Sequence, residues 1–200
     1  MEKRKLKRIL FFILLILLTP VLIIEAIIEL IKKSIRRKRW KEKELEGQKL
    51  LLTSSITDID IMEGYMFEDY LRILFFYMGY RVEQTQKSRD YGADLILYND
   101  SKEKIVVQAK RYSKPVGSKS VQEIIGAISH YKANYGFVVT NNKFTPQAEQ
   151  LAKDNGIRLI DRQELTEMYT SVCENLKLEN HDGNLSYEKI SLKEKYPYYI

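Results

Sequence analysis

Hydrophobic and polar positions follow two periods along the chain, and these periods predict helices and strands between residues 56 and 170. Apolar side chains recur at helical spacing from Phe67 to Met78, which predicts a helix over residues 62–78. Alternating and continuous apolar runs predict five strands, at 80–86, 93–98, 104–111, 137–140 and 157–160. Three further helices are expected to begin near residues 118, 145 and 161, and Ser120 and Glu123 in the first of these have capping-box spacing. The order α-β-β-β-α-β-α-β-α predicts an α/β fold with a mixed sheet flanked by helices.

Two of the expected strands, 93–98 and 104–111, flank a polar turn and therefore predict a β-hairpin. Because side chains alternate along a strand, Gln108 and Lys110 are expected on one face of the second strand. A turn centred midway between the strands would place Asp94 opposite Gln108, although a slip of one residue would alter that pairing. An aspartate, a carboxamide and a lysine would then converge on the hairpin.

Polar groups buried among apolar strands carry a desolvation cost unless something pairs with them. A hard cation would meet that need, since Asp94 offers a carboxylate oxygen, Gln108 an amide oxygen and Ala109 a backbone carbonyl. Glu68, near the start of the first helix, is expected to point partly inward and to reach the ion directly or through water. Lys110 would orient or activate a metal-bound water and offset charge on a phosphate. The expected cofactor is Mg²⁺, or Mn²⁺ in its place.

The residues from Asp60 to Leu165 resemble the catalytic domain of Mrr-like restriction endonucleases, within the PD-(D/E)xK nuclease superfamily. The resemblance lies in a Gly-Ala-Asp turn, a Gln-Ala-Lys string after 13 intervening residues, and a helix that reads VGSKSVQEIIGA. It implies a restriction-endonuclease-like αβββαβ core and Mg²⁺-dependent hydrolysis of phosphodiester bonds in DNA. It also implies that Asp94 is the superfamily aspartate and that Gln108 and Lys110 are the (D/E)xK pair. Glutamine in the carboxylate position is usual in the Mrr branch.

The resemblance extends to further residues around the site. It implies that Glu68 is the acidic residue often found on the first helix. Independently of the resemblance, Asp90 precedes the same turn and is the alternative metal ligand to Asp94. Enzymes of this superfamily that cut both DNA strands often act as dimers, so a homodimer is a family expectation. The residues expected to contact DNA are Gln122, Ser88, Arg111, Lys114 and Lys119.

Charge is distributed unevenly along the chain. The 33 Lys and Arg and 27 Asp and Glu residues give a net charge of +6, but residues 1–50 carry +8 and residues 51–200 carry −2. The overall basicity therefore does not by itself indicate DNA binding by the folded domain. The single cysteine excludes an internal disulfide framework and a thiolate zinc finger, and the two histidines argue against a multi-histidine metal centre.

An uncharged run from Ile9 to Ile24, with basic clusters on both sides, predicts a transmembrane helix. Extended to residue 31, such a helix would be about 34 Å long. That length is sufficient for a bilayer core of about 30 Å. Pro20 leaves open a re-entrant or interfacial hairpin. The expected divisions are 1–31 for the basic segment and transmembrane helix, 32–55 for a charged stalk, 56–170 for the nuclease domain and 171–200 for a polar tail.

Together these features predict a membrane-anchored, Mg²⁺-dependent DNA endonuclease, acting in restriction or in defence against foreign DNA. Its partners would be DNA and membrane lipid, and its location the cell membrane, single-pass, with the nuclease domain in the cytoplasm. A membrane-anchored DNA-binding module without turnover and a structure-selective DNA resolvase stay open as alternatives. Structural roles also stay open, since Asp94 could cap a turn and Glu68 could pair with Arg72 on the helix surface.

Overall fold

The structure is a computed structural model that describes residues 2–53, 55, 57–85 and 91–181. Contacts within the chain divide it into two compact units, Met1–Glu46 and Gly47–Ile200. The part of the predicted polar tail from residue 182 to 200 lies outside the described residues.

Helix α1 spans Glu2–Thr53 and so continues through most of the segment 32–55 that was predicted as a stalk. The side chains of residues 1–18 lie outside the description. Among the described residues, no helix has both the length and the apolar character needed to cross a membrane. In the described part of α1, Glu25 and Glu29 interrupt the apolar positions. The predicted transmembrane helix is therefore not supported by the structure.

A mixed sheet forms the centre of the second unit, because the apolar runs of its strands need cover on both faces. The strands in the described residues are β1 (Arg81–Gln84), β2 (Leu95–Tyr98), β3 (Lys104–Lys110), β4 (Tyr135–Thr140) and β5 (Arg158–Ile160), and they lie side by side in that order. The first three strands pair antiparallel, and β3, β4 and β5 pair parallel. The mixed α/β fold with helices around one sheet is therefore confirmed.

Helices cover the two faces of the sheet and create two separate apolar clusters. After α1, the helices in the described residues are α2 (Gly64–Tyr77), α3 (Ser118–Tyr131), α4 (Pro146–Asp154) and α5 (Arg162–His181), with a short 3₁₀ helix at Asp58–Asp60. Alternation along β3 divides its side chains between the clusters. Ile105 and Val107 pack with residues of α2 and α5, whereas Val106 packs with residues of α3 and α4. Side chains of β3 that share the phase of Val106 therefore face α3.

Helix α3 begins differently from the expected capping box. Its N-cap is Gly117, which supplies no side-chain hydrogen bond, and Ser120 lies inside the helix and is buried. The capping-box prediction was therefore wrong, and Glu123 pairs with Lys110 of β3 rather than with the start of its own helix. By contrast, α4 begins near residue 145 as expected, with Thr145 as its cap, since the Thr145 hydroxyl accepts a hydrogen bond from the Ala148 N–H at 3.3 Å.

Candidate active site

The register of β2 against β3 determines which polar side chains meet at the end of the hairpin. Leu95 pairs with Val107, so Asp94 and Gln108, the next residues outward, are neighbours. The N–H of Asp94 extends the ladder by donating to the Val107 carbonyl at 2.8 Å. The structure thus brings together the acid and the amide that the sequence analysis placed opposite each other.

The Asp94 carboxylate is buried and accepts hydrogen bonds from β3. Its Oδ2 accepts from Gln108 Nε2 at 2.5 Å and from the Ala109 N–H at 2.7 Å. Only 9% of Asp94 and 5% of Gln108 is exposed. These donors offset the cost of removing a carboxylate from water, because a buried charge is tolerated when hydrogen bonds satisfy it. Asp94 is therefore held in a fixed orientation at the end of the hairpin.

Lys110, the last residue of β3, shares the face of Gln108 and meets an acidic side chain from α3. Its Nζ lies 2.9 Å from Oε2 of Glu123, in an ion pair rather than a well-aligned hydrogen bond. Lys119, one turn earlier on α3, approaches the other carboxylate oxygen of Glu123 at 4.0 Å. Glu123 is not among the site residues predicted from the sequence. Its predicted neighbour, Gln122, is exposed.

Gly92, in the Gly-Ala-Asp turn, allows this close approach of α3. Its φ is +85°, which side chains rarely adopt, and a Cβ at this position would lie 2.7 Å from the carbonyl oxygen of Glu123. Any larger residue would have to push the backbone of α3 away from the turn. The glycine therefore sets the distance between Asp94 and the helix that carries Glu123.

These side chains open into one cavity of about 340 Å³. Glu68, half-buried on the first turns of α2, contributes a second carboxylate to it. The lining residues are Gly64, Glu68, Gly92, Asp94, Gln108, Ala109, Lys110, Arg111, Tyr112 and Glu123. The cavity is thus formed by α2, the β2–β3 hairpin and α3.

The donor set of this cavity fits a divalent cation that keeps part of its water shell. The carboxylates of Asp94 and Glu68, the Gln108 amide and the Ala109 carbonyl are all oxygen ligands of the kind Mg²⁺ accepts. Within the described residues, no cluster of three or more His, Cys, Asp or Glu side chains is arranged to hold a metal. A site with few protein ligands still suits Mg²⁺, which is commonly bound through one or two carboxylates and substrate phosphates.

Of the other predicted residues, three lie within the part of the chain that the structure describes. Arg111 lines the cavity, and its guanidinium donates to the Asp60 carbonyl at 3.2 Å. Lys114 and Lys119 are exposed on the surface. Ser88 and Asp90 lie outside the described residues.

A polar network that the sequence analysis did not identify supports the chain after β3. The Arg162 guanidinium donates to the Asp60 carboxylate at 2.5 Å, and Asn141 donates to the same oxygen at 2.9 Å. The side-chain carbonyl of Asn141 in turn accepts from the Tyr112 N–H at 2.9 Å. The hydrogen bond from Arg162 is the main reason that the pKa of Asp60 lies below its usual range. This network fixes the segment that follows Lys110.

The restriction endonuclease family model Mrr_cat matches residues 59–169, more than half of the chain. This chain belongs to the Mrr_cat restriction endonuclease family. The assignment confirms the resemblance stated above and makes this domain a restriction-endonuclease-like nuclease domain. A curated relative is the type IV methyl-directed restriction enzyme EcoKMrr of Escherichia coli strain K12, which is 33% identical over 97 residues. The match covers 46% of this chain and 32% of that enzyme, so this chain spans about a third of the relative's length.

Solved restriction endonucleases are also similar to this member of the Mrr_cat family. The DNA modification-dependent restriction endonuclease AspBHI is 22% identical, with 68% of this chain and 40% of that chain covered and a TM-score of 0.48. MspJI, solved in complex with a 27-mer oligonucleotide, is 21% identical, with 60% and 29% covered and a TM-score of 0.39.

Proposed function

We propose that this chain is a Mg²⁺-dependent DNA endonuclease that hydrolyses phosphodiester bonds in restriction or in defence against foreign DNA. The observation that supports the proposal is the convergence of Asp94, Gln108 and Lys110 on one cavity that Glu68 also lines. Asp94 and Glu68, with the Gln108 amide and the Ala109 carbonyl, would hold the metal, and Mn²⁺ could replace it. A bound Mg²⁺ would stabilise charge on the phosphoryl oxygen and lower the pKa of a bound water.

The side chains of the hairpin would supply the remaining chemistry. The ammonium group of Lys110 would orient the attacking water and offset the negative charge that develops on the phosphate. Because Asp94 is buried and doubly hydrogen-bonded, it would keep its orientation without the reorganisation that an exposed carboxylate needs. A positioned proton-transfer group typically contributes about 10²- to 10⁴-fold to the rate.

DNA is the proposed substrate because the chain belongs to a restriction endonuclease family. Arg111 at the cavity and the exposed Lys114 and Lys119 are proposed to contact phosphates, as are Ser88 and Gln122. Because the curated relative is named as methyl-directed, methylated DNA belongs among the substrates tested. A homodimer is proposed for cleavage of both strands.

The proposal is tested by incubating the full chain with linear, branched and methylated DNA, with Mg²⁺, Mn²⁺ or a chelator. We expect metal-dependent cleavage, and a loss of about 10²-fold or more in Asp94→Asn and Lys110→Ala. Lys153→Ala, an exposed charge change on α4, is the matched control and should stay within twofold of the wild-type rate. Circular dichroism would check that the variants are folded.

Several outcomes would contradict the proposal. Cleavage in the presence of chelator would contradict the metal dependence. Cleavage by Asp94→Asn and Lys110→Ala at the wild-type rate would remove these residues from the mechanism. Retention of DNA without cleavage, insensitive to Mg²⁺, would instead indicate a binding module without turnover. Cleavage restricted to branched DNA would indicate a structure-selective resolvase.

The location of the protein stays a prediction. We expect it at a cell membrane, in contact with lipid and with the nuclease domain in the cytoplasm, and fractionation of cells that produce the full chain tests this.

A further inference from the structure

Glu123 faces the proposed active site, but the proposed chemistry gives it no role. It lies on α3, outside the hairpin that carries Asp94 and Gln108, and it still lines the same cavity. Its carboxylate is 2.9 Å from Lys110 Nζ. Side-chain exposure is 31% for Glu123 and 18% for Lys110, so solvent screens this ion pair less than a pair on the open surface.

The packing of α3 fixes where this carboxylate lies. Val121 and Ile124, on either side of Glu123 in sequence, are fully buried and pack in one cluster with Val106 of β3. Lys110 lies on the same face of β3 as Val106, four residues further along the strand. The helix therefore cannot rotate Glu123 away from Lys110 without exposing apolar side chains.

The turn before Asp94 fixes the same helix from the other side. A Cβ at Gly92 would lie 3.0 Å from the carbonyl carbon and 3.1 Å from the Cβ of Glu123, as well as 2.7 Å from its carbonyl oxygen. The backbone at Glu123 is thus in direct contact with the Gly-Ala-Asp turn. One turn therefore links the position of Asp94 to the position of the Lys110 partner.

A carboxylate partner restricts the motion of a catalytic lysine, whose ammonium group lies on a flexible four-carbon chain. Holding that chain in one position costs rotamer entropy. An ammonium group held by a carboxylate samples fewer positions, and catalytic rates depend strongly on small displacements of reacting groups. A fixed acceptor on α3 would therefore raise the fraction of time that Lys110 spends at the cavity.

We propose that Glu123 is a positioning residue that holds the Lys110 ammonium group in the orientation required for phosphodiester hydrolysis. The inference rests on the proposed nuclease function, and it assigns Glu123 a role through Lys110 rather than through the metal. Its loss should therefore lower kcat while leaving KM for DNA and the Mg²⁺ concentration for half-maximal rate within about twofold.

The kinetic test compares Glu123→Ala and Glu123→Gln in the full chain, with Glu174→Gln as a control at an exposed position of α5. We expect Glu123→Ala to lower kcat at least tenfold. Glu123→Gln should recover a large part of that loss, because its amide oxygen keeps a polar partner of the same shape beside the Lys110 ammonium group. The control should match wild type. In a Lys110→Ala background, Glu123→Ala should change the residual rate by less than twofold.

Each alternative result overturns the proposal. An unchanged kcat in Glu123→Ala would show that Lys110 needs no partner. A several-fold rise in the Mg²⁺ requirement, or a further large loss in the Lys110→Ala background, would make Glu123 a metal ligand or an independent catalytic group.

A second measurement keeps this test separate from the test of nuclease activity. Denaturant titrations of Glu123→Ala, Lys110→Ala and the double variant form a double-mutant cycle. If the two side chains are coupled, the double variant should lose clearly less free energy of unfolding than the two single variants lose together. Additive losses would overturn the proposal even if the wild type cleaves DNA. Coupled losses with no cleavage of any substrate would refute the proposed function and leave the contact established.

Discussion

Replacement of Gly92 by alanine tests how closely α3 must approach the candidate active site. Two costs should add at this position. A left-handed backbone with a side chain costs about 1–2 kcal/mol. The new methyl group would also overlap the Glu123 carbonyl oxygen, 2.7 Å away, and overpacking typically costs about 1–3 kcal/mol. We therefore expect Gly92→Ala to lower the free energy of unfolding by about 2–5 kcal/mol.

Gly156 provides the matched control for this change. It also has a positive φ, +65°, but a Cβ there would meet no atom within 4 Å. Gly156→Ala should therefore show the conformational cost alone, about 1–2 kcal/mol. Chemical denaturation followed by circular dichroism would measure both variants, and the difference between them isolates the contact with α3. If Gly92→Ala is no less stable than Gly156→Ala, the turn and the helix are not in tight contact and the reasoning fails.

Two further predictions concern groups outside the cavity. Asp60→Asn should destabilise the fold at pH 7 by about 1 kcal/mol or less, because the ion pair is partly exposed to solvent. Since the hydrogen bond from Arg162 lowers the pKa of Asp60, the carboxylate contributes stability above its unfolded pKa of about 3.9 and loses it as pH falls through the lower folded value. The midpoints of wild type and Asp60→Asn should therefore converge as pH falls through the lowered folded pKa of Asp60, and a constant gap would contradict this account. Thr145→Ala should remove the cap on the Ala148 N–H and cost about 1 kcal/mol in a denaturant titration, where an unchanged midpoint would show that the cap contributes nothing.

The hairpin was predictable because its information is local. Side-chain alternation along residues 104–111 and one polar turn predicted Asp94 opposite Gln108 and left a one-residue slip open, and the structure has the predicted register. The elements around it follow equally local signals, such as the helical spacing from Phe67 to Met78 and the cap at Thr145. Their ends differ from the predictions by a few residues, since hydrogen bonding and packing define the termini.

The orientation of Glu123 towards the sheet was partly predictable from the local pattern. Val121, Ile124 and Ala127 form the buried stripe of α3. At about 100° per residue, Glu123 borders this stripe while Gln122 lies on the far side of the helix. The phase of the apolar residues therefore favoured Glu123 as the residue facing the sheet. The capping-box spacing with Ser120 obscured this signal, because it assigned Glu123 to the helix terminus.

The network around Asp60 could not have been predicted from local pattern. Its hydrogen bonds join Asp60 to Asn141, 81 residues away, and to Arg162, 102 residues away. Neither partner stands out in its own segment, because asparagine after a strand and arginine at a helix start are common on protein surfaces. Asn141 and Arg162 become neighbours because they follow β4 and β5, whose parallel pairing brings the ends of both strands to one edge of the sheet.

The structure shows which partners the polar groups of the hairpin have, and this changes the reason for expecting a metal there. From the sequence, a cation was expected to offset the burial of Asp94, Gln108 and Lys110. In the structure the chain already supplies partners, since Asp94 accepts hydrogen bonds from Gln108 and Ala109, and Lys110 pairs with Glu123. The fold therefore does not need a cation to satisfy these groups. A divalent ion would instead bind at a preformed cavity, where the oriented Asp94 carboxylate and Glu68 attract it and DNA phosphate completes its ligands.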